Sequence, residues 1–173
     1  MTLMCTVGGA KATFEARYAD EVAALLDQAF GGESDWEGTP PRHFGALDGS
    51  CWADLQERAV AELGVEAIPN LLAMGPDEAG VYLPAQVQPA SLPLSAGDPL
   101  RCASLPGLRA ELAELADRWD LPWDDDALLG LLRDASDPDG GPVADAPEVV
   151  TFARLALAAN EAVRRDCPLW LVK

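Results

Sequence analysis

The residues best suited by type to do chemistry are His43, Asp48, Ser50 and Cys51, which stand close together where a proline-bearing stretch runs into a helix. A histidine base, an aspartate to orient it and a serine or cysteine nucleophile are the types that acyl transfer needs within hydrogen-bonding reach. Proximity in sequence does not make a triad, and Asp48 and Ser50 suit the turn and cap of the helix that follows. No residue is therefore assigned as catalytic. A small hydrolase or ligand-binding domain with a pocket near His43 stands as the alternative to a binding protein.

Metal chemistry finds no better footing. Cysteines 5, 51, 102 and 167 have no second cysteine and no histidine at ligand spacing, so they read as thiols of the interior. Asp137-Pro138-Asp139-Gly140-Gly141 has the outline of a calcium loop, but Ala135 and Ala146 stand where ligands would be needed. The glycine pairs at 8–9, 31–32 and 140–141 lack the pattern of a phosphate-binding loop. The sequence implies no metal and no cofactor.

Charge is the strongest signal. Twelve basic residues against 29 acidic ones give a net charge of −17, which disfavours nucleic acid and anionic membrane as partners. Between Glu111 and Glu148 twelve acids face only Arg118 and Arg133. Such a stretch serves either as a solvated face or as a surface for a basic protein partner. No apolar run reaches the roughly 18 residues of a membrane span, and residues 1–7 lack the basic start of a signal peptide. A cytoplasmic protein of one domain is expected.

The elements that would position these residues follow from periodicity and punctuation. Thr2–Val7 and Lys11–Tyr18 read as an N-terminal hairpin about Gly8-Gly9. Asp20 opens a helix ending at Gly31-Gly32, and residues 33–48 read as loop. A helix over 50–63 carries Trp52, Leu55, Ala59 and Leu63 on one side, and Ile68–Met74 reads as a strand. Five prolines from Pro84 to Pro106, both ends counted, mark residues 75–106 as an extended inserted arm, with short strands at Val81–Leu83 and Leu100–Ala103. Its apolar side chains, were they exposed, would suit the structural subunit of a homo-oligomer. Ser104 caps a helix with Leu105, Leu108, Leu112, Leu115 and Trp119 as its seam, and a short acidic-start helix covers 127–133. The centre of the fold is the stretch from Asp145 onward. Asp145, Pro147 and Glu148 have the spacing of a capping box, an almost wholly apolar helix runs to Arg165, and Pro168 leads into the buried strand Leu169–Val172.

Phe44-Gly45, followed by Trp52 and Leu55, the strand at 69–74 and the closing helix and strand, resembles the barstar-type ribonuclease inhibitors. The resemblance spans about half the chain. It implies a parallel sheet flanked by helices, and acids on the Trp-bearing helix and its leading loop that plug a basic nuclease. The positions of the family's two aspartates hold Gly49 and Ala53, with Asp48 and Asp54 one place away.

The fold expected is thus α/β, a small mostly parallel sheet flanked by helices. The function expected is that of an acidic, non-enzymatic binding protein for a basic partner, in the manner of an immunity-type inhibitor. Partner contacts fall to Trp36, Asp48, Asp54 and Glu57 on the barstar-like reading. On the reading from the acidic segment they fall to Asp117, Asp120, Asp124, Asp125 and Asp126.

Overall fold

The computed structural model describes residues 2–10, 16–31, 36, 39–95, 97–136 and 146–173. Strand β1 (Thr2–Val7) is followed by helix α1 (Ala16–Phe30), strand β2 (Arg42–Asp48) and helix α2 (Gly49–Leu63). Strands β3 (Gly80–Leu83), β4 (Ala90–Leu92) and β5 (Leu100–Ser104) come next. Helices α3 (Leu105–Trp119), α4 (Asp125–Ser136) and α5 (Pro147–Arg165) then lead to strand β6 (Leu169–Val172).

The α/β class holds, but the sheet is mixed and not mostly parallel. Its order is β2-β1-β6-β3-β5-β4, and of these neighbours only β3 and β5 run parallel. The reason lies in β6, which enters between β1 and β3 and runs antiparallel to both. The segment 75–106, expected as an arm, supplies β3, β4 and β5. Its apolar side chains are turned inward: Val81 and Leu83 are buried, and Val87, Leu92 and Leu94 pack beside them.

Three local expectations are overturned. The antiparallel partner of β1 is β2, and Ala16–Tyr18 is the opening of α1 and not a strand; residues 11–15 lie outside those described. Ala19, Val22 and Leu26 of α1 are buried at helical spacing, a period that a four-residue alternation is too short to override. The stretch 42–48, expected as loop, is the seven-residue edge strand β2. It escapes notice because only Leu47 is fully buried, and because the register slips at a bulge around Gly45, whose φ is +93°. Ile68–Met74 is not a strand but a turn at Pro69-Asn70 that leads into a 3₁₀ helix at Leu71–Ala73. Ile68, Leu71 and Met74 are all buried, and a repeat of three is the period of that helix.

Both sheet faces are covered. On one, Leu3, Cys5, Val7 and Leu47 meet Trp52, Leu55 and Ala59 of α2, Leu108 and Leu112 of α3, and most of α5. On the other, α1 packs against Val81, Leu83, Leu100, Cys102 and Trp170. The start of α5 also departs from expectation: its N-cap is Ala146, with no side-chain cap, while Pro147 takes the first turn as expected. Asp145 lies outside the described residues. The other end closes on Asp166 in the left-handed region, whose N–H bonds back to Ala162 and Val163.

Candidate functional site

Of the four side chains with hydrolytic potential, Asp48, Ser50 and Cys51 lie together and His43 stands apart from them. Here His43 pairs across the sheet with Thr6, whose Oγ1 lies 3.0 Å from its Nδ1, while Asp48 pairs with Thr2 at the far end of the same strand. Their partners Thr6 and Thr2 are four residues of strand rise apart on β1, roughly 13 Å. Asp48 is the N-cap of α2: it accepts hydrogen bonds from the N–H of Ser50, at 2.9 Å, and from the Ser50 hydroxyl. Those bonds hold its carboxyl below the ordinary range. Cys51 is half-buried in a depression with Asp48, Thr2, Thr151 and Arg154. Cys5 and Cys102 are buried thiols, and burial pushes each up to about 12, although Arg154 draws Cys5 down in part. Among the described residues no group of histidine, cysteine and carboxylate side chains could hold a metal. The calcium-like sequence at 137–141 lies outside them.

The acidic candidates sort by whether their carboxylates are already committed. Asp125 is committed: it pairs with Arg164 and accepts a hydrogen bond of 3.1 Å from Asn160. Asp124 caps α4 through the N–H of Ala127 at 2.9 Å. Asp120 is exposed and ends α3 in the left-handed region at φ 53°, a conformation that aspartate tolerates better than most residues. Asp54, Glu57, Asp117 and Asp126 are exposed and have no hydrogen-bond or ion-pair partner among the described residues. Trp36, read as a partner contact, is half-buried and packs against both hydrophobic clusters.

One place gathers uncommitted acids around a defined surface. Asp54 and Glu57 line a shallow depression with Arg58, Ala61 and Glu148. Helical spacing puts Asp54, Glu57, Arg58 and Ala61 on one side of α2, and Glu148 reaches it from the first turn of α5. Arg58 donates to Glu148 at 2.7 Å, and its guanidinium lies 4.2 Å from the centre of the Trp119 ring. Trp119 in turn packs on Phe152, 5.9 Å between ring centres, which fixes the end of α3 against α5.

Arg58, Trp119 and Glu148 are absent from the partner contacts expected from the sequence. Arg58 stands four residues after Asp54, a spacing that reads as a pair along one helix. The structure sends it across to α5 instead. Glu148 read as part of a capping box, and Trp119 as the last residue of an apolar seam.

Comparison with protein-family models, with curated proteins and with solved structures gives no match. No described helix is long and apolar enough to cross a membrane.

Proposed function

We propose that this chain is a non-enzymatic binding protein whose acidic surface engages a basic protein partner, with the immunity-type inhibitor suggested by the barstar-like resemblance as its specific form. The observation that carries the reading is the depression of Asp54, Glu57 and Glu148 beside Trp119. Asp54 and Glu57 can pair with incoming lysine or arginine without first breaking an internal bond, while Glu148 is already held by Arg58. An aromatic ring with an arginine beside it is the composition found at the centre of tight interfaces. The net charge of −17 adds long-range attraction for a basic partner and speeds encounter at low salt.

The contact surface proposed is α2 through Asp54 and Glu57, extended by Asp117, Asp120 and Asp126. Asp48, Asp124 and Asp125 shape the surface while serving caps and ion pairs of their own. The test is affinity capture from the native host at low salt with a salt-gradient elution, run in parallel with Glu57→Lys. A basic protein held stoichiometrically by the unaltered chain, released by salt and lost from Glu57→Lys, is the outcome expected. Retention that is equal in the two and insensitive to salt would remove the reading.

A further inference from the structure

We infer that Arg58 is an internal competitor for the site just proposed, occupying the position that a guanidinium of the partner would take. The inference rests on that reading and specifies the side chain recognised, arginine in preference to lysine. Around Arg58 the chain has assembled two elements of an arginine-binding cradle: an aromatic face, Trp119 at 4.2 Å, and a carboxylate, Glu148 at 2.7 Å. Asp54 and Glu57 complete the same depression. A planar guanidinium satisfies ring and carboxylate together, which a lysine ammonium does less well.

The seat is weakly held. The Arg58 side chain is 41% exposed and Glu148 19%, so water and salt screen their attraction. An incoming arginine that displaces Arg58 recovers the stacking and the ion pair that it breaks. Asp54 and Glu57, whose charges Arg58 already shares, remain beside the incoming guanidinium, and the released Arg58 is free to turn into solvent. The internal contact therefore lowers affinity for isolated cations while leaving the cradle formed, a bias against weak basic competitors.

The experiment titrates N-acetylarginine amide, with N-acetyllysine amide in parallel, into the isotope-labelled full chain at low ionic strength. The Trp119 indole N–H signal reports the cradle and is identified by its loss in Trp119→Phe. Arg58→Met retains an unbranched apolar stem and removes the competing guanidinium. It is expected to bind the arginine probe about tenfold more tightly than the unaltered chain, and more tightly than it binds the lysine probe, the size set by losing one exposed ion pair and one cation–π contact. Arg58→Lys, which keeps the charge but not the plane, is expected to fall between the two and provides the comparison if Arg58→Met proves unstable. Equal affinities in variant and unaltered chain, or no saturable shift in either, would overturn the inference. That failure would leave the proposed binding surface standing, because the surface is tested through Glu57 and a whole partner.

Discussion

Glu111 shows what one side chain does when it is taken out of water in this fold. Its carboxylate is buried and accepts hydrogen bonds from the N–H groups of Asn70 and Leu71, at 2.9 and 2.7 Å, and from the Asn70 amide at 2.7 Å. It thereby caps the 3₁₀ helix at Leu71–Ala73, while Asn70 Oδ1 accepts the N–H of Ser104 at 3.0 Å. Burial raises its pKa above the ordinary 4.5, and the bonds from Asn70 and Leu71 offset part of that rise. Replacement by Gln turns one acceptor into a donor facing another N–H, so Glu111→Gln is expected to lose about 1–3 kcal/mol of unfolding free energy in urea melts. An unchanged midpoint would mean that the network is looser than described. In sequence Glu111 opens the acidic run that ends at Glu148, although it stands three residues after Leu108 and four before Leu115, on the apolar seam of α3. Its burial was legible in that spacing. The inward packing of Trp36 was not, because nothing local to it shows which clusters will close around it.

Among the elements, the amphipathic helices were the most legible, because a helix declares its buried face by local spacing. Of the α3 seam predicted from Leu105, Leu108, Leu112, Leu115 and Trp119, the four leucines are fully buried and Trp119 is half-buried, and Leu112→Ala is expected to cost about 2–5 kcal/mol in thermal or denaturant unfolding. A cost near zero would contradict the packing of α3. The edge strand β2 and the turns at 68–74 were misread because their geometry depends on partners distant in sequence. One supplies the register across β1, and the other is held by Glu111. Between elements, Glu161 of α5 joins Arg164 and Arg42 at 2.8 Å each. Burial of its carboxylate raises its pKa, but the hydrogen bonds from Arg164 and Arg42 outweigh this and hold it below the ordinary 4.5. A depressed folded value means that the stabilisation is present above pH 4.5 and is lost as the pH falls through the folded value. The melting temperature should therefore drop on acidification through that window, and the drop should be shallower in Glu161→Gln. Identical profiles would show that the ion pairs contribute nothing.

For the molecule as a whole, composition reached further than strand order. The α/β class follows from alternating strands and helices, while the mixed sheet depends on where β6 enters, which no local pattern encodes. The charge of −17 was plain from the start, yet the surface that uses it was only half legible. Asp54 and Glu57 could be named from α2 alone. Their convergence with Glu148 and Trp119 requires the packing of α2 against α3 and α5. The most direct measurement of the central claim is the affinity for the captured basic partner across a salt series, for the unaltered chain, Glu57→Lys and Asp27→Lys. The last makes the same change in charge on α1, across the sheet. Screening shortens to about 10 Å at 0.1 M salt, so a local charge contact weakens steadily over that range. The account predicts that Glu57→Lys lowers affinity at least tenfold and flattens the salt dependence, while Asp27→Lys changes affinity little. Equal losses in the two variants would show that net charge alone governs binding and would contradict a site on α2.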